Sequence, residues 1–343
     1  MSNTIPPFKA LALQTNTRAV NRLSIAEARD SIKRTIQEIS SQIRASCQFI
    51  GQDCKLVVLP EYFLSGFPLQ ESVKEWQQKA CINFDGEEYA ALSKIAVDNN
   101  IFLNGNVYEL DQHFPSLFFQ SCFIIAPNGE LILRYRRLNS MYTATPHDVL
   151  DQYVEIYGWD SLFPVAKTII GNLACIASEE ILYPEIARCM AFRGAEIFLH
   201  STSEVGSLTP SPKNIAKQAR ALENMAYVIS ANSAGISGYD IPADSTNGHS
   251  QIVNYEGQII TEAGFGESMA ANSTIHIDAL RQHRSRPGMA NYLSRMRNEL
   301  FASSYANAIY PGQSLLKKTP NREHFKQLQD EAIRRLRDKG IIS

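Results

Sequence analysis

Apolar positions recur along this chain with two periods. Ile32, Ile36, Ile39 and Ile43 lie three or four apart, and this spacing predicts a helix over Ile25 to Cys47. Tyr89 to Asn99 predicts a second helix, and Asn214 to Asn224 a third. Short apolar runs alternate with these helices. Phe8 to Gln14, Leu56 to Leu59, Ile101 to Tyr108 and Phe118 to Ala126 read as strands. Pro127-Asn128-Gly129-Glu130 is a turn of the hairpin kind, and Leu131 to Leu138 returns as its partner. The second half repeats the theme. Lys167 to Ile176 is a hairpin and strand, and Ile186 to Arg193 is a short helix ended by Gly194. Ile197 to His200 and Tyr227 to Ala231 are strands, and Gln251 to Tyr255 with Gln258 to Ala263 form a hairpin. Alternating elements of this kind predict an α/β fold, with helices outside and mixed sheets inside. One domain is expected over residues 1–317, followed by a charged, helical, peripheral tail over 318–343.

Composition narrows the class. Of 343 residues, 44% are apolar and 20% charged, which suits a globular core rather than disorder or a coiled coil. Lys plus Arg is 33 against 35 for Asp plus Glu, a net charge of −2. Such a chain exerts no bulk pull on nucleic acid or on an anionic membrane, so neither is expected as a partner. No apolar run approaches the length of a membrane span, and the N-terminus lacks the pattern of a signal peptide. Cys47, Cys54, Cys81, Cys122, Cys175 and Cys189 form neither a C-x-x-C pair nor a zinc spacing. A cytoplasmic protein with free thiols, and with no metal or cofactor, is the expectation.

Three segments carry candidate chemistry. Leu56 to Leu59 ends at Pro60 and delivers Glu61 just past a buried strand, where α/β sheets bind ligands. A carboxylate there can act as a general base, although most glutamates are solvated loop acids. Arg134-Tyr135-Arg136-Arg137 ends another strand, where a cation could face an oxyanion or simply protect a sheet edge. Ala174 to Ala177 stops at Ser178 and turns towards a helix, followed by Glu179 and Glu180. A nucleophile on such a turn is exposed near backbone N–H groups, while a plain helix cap is the structural alternative. Arg220, Glu223 and Asn224, spaced i, i+3 and i+4, read as a polar network within one helix.

Several segments in order resemble the nitrilase superfamily of carbon–nitrogen hydrolases, including its aliphatic-amidase type. They are LVVLPEYFLSGFP (56–68), LILRYRRL (131–138), YPEIAR (183–188), RGAEI (193–197), RALENMAYVISANSAG (220–235) and GHSQIVNYEGQII (248–260). The resemblance spans about Phe8 to Phe301. It implies an α-β-β-α sandwich that associates through one face into a homo-oligomer. It also implies a Glu base, a Lys that stabilises the tetrahedral intermediate and a Cys nucleophile, at three strand ends.

Carried over by position, the Glu is Glu61. The Lys position, closing Tyr135-Arg136, holds Arg137, and the Cys position, six residues before Pro184, holds Ser178. Two of the three identities are therefore changed. A serine hydroxyl is far less acidic than a thiol and needs its proton removed during attack. Arg137 keeps the charge but cannot shuttle a proton, and a bidentate pair with Glu61 would weaken that carboxylate as a base. Cys175 lies on the opposite strand face from Ser178 and reads as a core thiol. The segment between Arg137 and Ser178 looks longer than usual for the family, with His147 or Asp148 near the place of a further family Glu and Trp159 as a lid or interface anchor. Tyr62, Glu179, His200, Ser201 and Glu204 are the candidate substrate contacts. His249 reads as structural. Two functions follow: an amidase-like acyl hydrolase or transferase acting on a small amide, ester or nitrile through Ser178, or a non-hydrolytic relative that binds a small ligand or a partner.

Overall fold

The computed structural model describes residues 4–206, 210–246, 248–316, 318 and 320–343. In chain order the strands are β1 (Phe8–Ala12), β2 (Asn16–Arg18), β3 (Cys54–Val58), β4 (Phe102–Glu109), β5 (Phe119–Ile125), β6 (Leu131–Arg136), β7 (Ala166–Thr168), β8 (Gly171–Ala177), β9 (Ile197–Thr202), β10 (Tyr227–Asn232), β11 (Gly235–Ser237), β12 (Gln251–Val253), β13 (Ile259–Glu262) and β14 (Asn272–Ile275). The helices are α1 (Ile25–Ile50), α2 (Val73–Lys79), α3 (Glu87–Asn99), α4 (Leu150–Tyr157), α5 (Pro184–Phe192), α6 (Pro212–Asn224), α7 (Ile277–Ser285), α8 (Asn298–Tyr305) and α9 (Arg322–Asp338).

Two six-stranded sheets result, in the orders β14-β1-β3-β4-β5-β6 and β13-β12-β10-β9-β8-β7. Each has the same plan. Three parallel strands (β1, β3, β4 and β8, β9, β10) continue into two antiparallel ones, and an antiparallel strand closes the other edge. Strand alternation sorts the residues into layers. Leu11, Val57 and Leu103 face Ile32, Ile36, Ile39 and Ile43 of α1 and Leu92 and Ile95 of α3. Ala10, Ala12, Leu56 and Val58 face inward, in the cluster shared with the second sheet and with α5 and α6. The layers are therefore helix, sheet, sheet, helix, and the α-β-β-α sandwich expected from sequence is observed.

Local signals account for the helix boundaries. Ser24 caps α1 through a capping box with Glu27, whose Oε2 accepts the Ser24 N–H at 2.9 Å. The isoleucine stripe carries this helix on to Ile50, beyond the expected Cys47. Strand β14 escaped the sequence reading because Asn272-Ser273-Thr274-Ile275 is a half-exposed polar edge strand without an apolar period.

The long segment after β6 folds into short helical turns and α4. It packs in a third cluster with Phe114, Phe119 and Tyr153, to which Leu315 and, from the tail, Phe325 and Leu328 contribute. Phe325→Ala is expected to cost about 3 kcal/mol, the low end for a buried Phe because the cluster is peripheral. Urea unfolding measures this loss.

Candidate active site

Four strand ends converge on one place. Leu59 to Tyr62 follows β3, Arg137 follows β6, Ser178 follows β8, and Thr202 ends β9. The two sheets are tied together here: the Ser201 hydroxyl donates to the Leu59 carbonyl at 2.8 Å, and the Glu61 N–H donates to the Thr202 carbonyl at 3.3 Å.

Glu61 is 2% exposed. Its Oε1 accepts from Gln120 Nε2 at 2.7 Å and from an Arg137 terminal nitrogen at 3.4 Å. That same arginine nitrogen donates to Gln120 Oε1 at 2.7 Å. Arg137 Nε donates to the Asn139 carbonyl at 2.6 Å, and the second terminal nitrogen pairs with Glu179. Arg137 is thus clamped between two carboxylates. Burial works against its charge, but Glu61, Glu179 and Glu180 outweigh that and hold it firmly protonated.

Sequence reasoning passed over Gln120 and Glu180. Gln120 is a buried amide on β5 that also donates to Asn106 Oδ1 at 2.9 Å. A polar residue inside a seven-residue strand that is buried throughout was the available signal. Glu180 is fully buried and fixes the path of residues 138–139. Its Oε1 accepts the N–H groups of Leu138 (2.6 Å) and Asn139 (2.9 Å), and its Oε2 accepts the Tyr135 hydroxyl at 2.7 Å. Burial pushes its carboxyl up to about 7, against the opposing pull of Arg137 and these donors.

Ser178 is buried at 6% exposure and adopts φ +51°, a left-handed conformation that is uncommon for a non-glycine residue. Two contacts brace this elbow. His200 Nε2 lies 2.8 Å from the Ser178 carbonyl, and Arg220 Nε donates to the Ile181 carbonyl at 2.9 Å. The Ser178 carbonyl can only accept, so His200 carries its proton on Nε2 and its Nδ1 accepts from the Ser230 hydroxyl at 2.8 Å. Burial, reinforced by the Lys217 ammonium, depresses His200 to about 3. The Ser178 hydroxyl lies 3.3 Å from Lys213 Nζ, at the start of α6.

The expected site residues therefore divide into two sets. Glu61, Arg137, Glu179 and Ser178 share the strand-end cluster. His200 and Ser201 lie directly behind it and make backbone-fixing contacts. Glu204 pairs with the buried Lys217 at 2.7 Å. Burial would raise its carboxyl, but Lys217 and Lys213 hold it at about 2. Tyr62 is buried with φ +37° and stacks on Tyr108. Asp148 accepts the Thr145 N–H and the Ser314 hydroxyl, which fastens the segment just before the tail. Cys175 is fully buried and turned to the opposite sheet, accepting from Asn104 at 3.3 Å, and burial drives its thiol well up. Of the neighbouring arginines, Arg136 is buried against Asp111 and the rings of Phe119 and Tyr157, so only Arg137 of this pair reaches the cluster.

A cavity of about 680 Å³ borders the cluster at Asn139, Glu179 and Tyr183. Its far wall includes Trp159, Tyr310 and Phe325. Among the described residues no group of three His, Cys, Asp or Glu side chains is gathered to hold a metal ion. Among the described residues no helix is long and apolar enough to cross a membrane.

The His200 shift has a measurable sign. His200 stays neutral in the folded protein, while the unfolded side chain protonates below about 6.5. Its contribution is therefore present above pH 6.5 and is lost as pH falls towards 3. Glu180 acts in the opposite sense: its contribution is full below about 4.5 and is lost as pH rises to about 7. The stability gap between the native chain and His200→Gln is expected to narrow from pH 6.5 to 3. Urea unfolding across that range reads the gap, which isolates His200 from Glu180.

The fold and the cluster of strand ends define a carbon–nitrogen hydrolase scaffold. The carbon-nitrogen hydrolase family model matches residues 14–284, and the chain belongs to that family. It is 24% identical over 247 residues to a probable nitrilase of Schizosaccharomyces pombe, covering 72% of this chain and 84% of that protein. It is 24% identical over 234 residues to the human omega-amidase NIT2, covering 67% and 81%. A formamidase of Bradyrhizobium sp. is 25% identical over 277 residues, covering 80% and 76%. Among solved structures, a carbon–nitrogen hydrolase from Helicobacter pylori superposes with TM-score 0.67 at 17% identity, over 88% of this chain and 99% of that one. A double mutant of the amidase from Nesterenkonia sp. AN1, solved with acrylamide, gives 0.61 at 20% identity, over 87% and 97%.

Proposed function

We propose that this protein hydrolyses or transfers the acyl group of a small amide or ester, with Ser178 as the nucleophile. The observation that carries this reading is the braced left-handed elbow at Ser178, which lies at a convergence of strand ends beside a cavity. Residues held in strained conformations cluster at active sites, because the surrounding structure must maintain them. In this reading the substrate enters along Glu179 and Tyr183, and its carbonyl carbon meets the serine oxygen. Arg137 is the cation assigned to the developing oxyanion. Glu61, with Gln120, orients that guanidinium, so its part in proton transfer is smaller than the order of motifs suggests. Amides and esters fit better than nitriles, because a neutral hydroxyl is a poor match for nitrile attack.

A second reading rests on the guanidinium. Four groups already occupy Arg137: Glu61, Gln120, Asn139 and Glu179. A cation so fully engaged suits a non-hydrolytic relative that binds a small ligand in the same cavity. Intact-mass spectrometry after incubation with a panel of small amides and esters separates the two. An acyl adduct that maps to Ser178 and is absent from Ser178→Ala supports hydrolysis. Ligand-dependent thermal stabilisation without any adduct supports binding alone.

The apolar positions Tyr183, Phe192, Ile215 and Leu222 remain exposed on and beside α5 and α6. This face suits the homo-oligomer implied by the family resemblance, and gel filtration of a Phe192→Glu variant tests it. Six unpaired thiols suit a reducing, cytoplasmic setting. The hydrolase domain is assigned to residues 1–317, and the tail over 318–343 is assigned as a wall of the cavity.

A further inference from the structure

We propose that Lys213 is the group that takes the proton of Ser178, so that a serine–lysine pair does the work the sequence order assigns to Glu61. This deepens the reading of Ser178 as nucleophile and rests on it. Among the described residues, Lys213 is the titratable side chain within hydrogen-bond distance of the Ser178 hydroxyl, at 3.3 Å. Its other contact is the Thr202 hydroxyl at 3.2 Å, and no carboxylate among the described residues lies within ion-pair distance of it. Glu204, the nearby acid, is already paired with Lys217 at 2.7 Å. Glu61 faces the other way, towards Gln120 and Arg137. His200 has both ring nitrogens engaged, at the Ser178 carbonyl and at Ser230.

The local sequence fixes where Lys213 stands. Ser211 caps α6 by accepting the Asn214 N–H, and Pro212 opens the helix. Lys213 therefore stands in the first turn of α6, beside the end of β9.

The step balances as follows. The neutral Lys213 amine removes the hydroxyl proton while the serine oxygen forms a bond to the substrate carbonyl carbon, and the carbonyl π pair moves onto oxygen. As the tetrahedral species collapses, the Lys213 ammonium returns its proton to the leaving nitrogen and the carbon–nitrogen bond breaks. Ammonia or an amine departs and a Ser178 ester remains. Water then attacks that ester, with Lys213 again accepting and returning one proton.

The test uses the full chain and a fluorophosphonate probe, with the rate of Ser178 labelling followed by intact mass. Lys213→Arg keeps the charge and loses the base, and Lys213→Ala loses both. Both variants are expected to label at least about 100-fold more slowly than the native chain, with unchanged melting curves. Added ethylamine is expected to restore labelling in Lys213→Ala. Native-like labelling of Lys213→Arg would overturn the proposal and leave lysine a purely electrostatic part. Slow labelling that no amine rescues would also count against it, since a structural role alone gives that pattern. A native chain that never labels at Ser178 would instead remove the nucleophile, and with it the proposed function.

Discussion

Arg137→Lys combined with Ser178→Cys is expected to raise turnover of small amides at least about 100-fold over the native chain, because a thiol near pKa 8.5 supplies a potent anionic nucleophile where a hydroxyl supplies almost none. The serine position is already a left-handed elbow, with its carbonyl fixed by His200 and the following turn by Arg220. A sulfur placed there stands next to Glu179, which lines the cavity. The second change matters because the arginine fork now joins Glu61 to Glu179. A lysine is a single point charge and cannot span both carboxylates. It would release one of them and leave ammonium protons for the substrate oxygen. Each single variant is expected to gain less than the double, and a double-mutant cycle on amide turnover reads that coupling. An unchanged rate in the double variant would mean that the cavity no longer presents an amide to this position.

Lys217→Met is expected to destabilise the protein by about 3–5 kcal/mol, since removing one member of a buried ion pair strands the other charge. Lys217 is 1% exposed and Glu204 8%, and burial holds the lysine below its ordinary range even with Glu204 beside it. Without Lys217, burial dominates at Glu204 and its carboxyl rises from about 2. Adding Glu204→Gln to Lys217→Met should recover much of the loss, because a neutral amide needs no countercharge. Urea unfolding of the single and double variants measures both terms. Lys213 is the nearest replacement cation, so Lys217→Met should also draw it from Ser178 towards Glu204 and slow fluorophosphonate labelling.

Much of the architecture could be read from local pattern. The isoleucine stripe of α1, the apolar run of β3 and the turn at Pro127 to Glu130 each specify their element with few neighbours. The strand-end acids, cations and hydroxyl were also legible, because a short apolar run followed by a chemical side chain is a local signal. What these side chains touch was not. Glu179 was expected at the substrate; it lines the cavity, and its hold on Arg137 was not foreseen. His200 was expected at the pocket mouth, and it holds the Ser178 backbone. Glu180 was passed over because two adjacent glutamates look alike in sequence. One is half-exposed and the other is enclosed among backbone N–H groups. Lys213 stood in a helix whose apolar face gave no reason to single it out.

The chain by itself determined the layered sandwich and the order of the family-like segments, since periodicity and short motifs are properties of neighbours in sequence. Only the tertiary structure decided which groups are within hydrogen-bond reach at the strand ends. The Arg137 clamp, the His200 brace and the approach of Lys213 to Ser178 join residues 22 to 76 positions apart. Such contacts arise from the packing of whole strands and helices, and no local pattern encodes the distance between their ends.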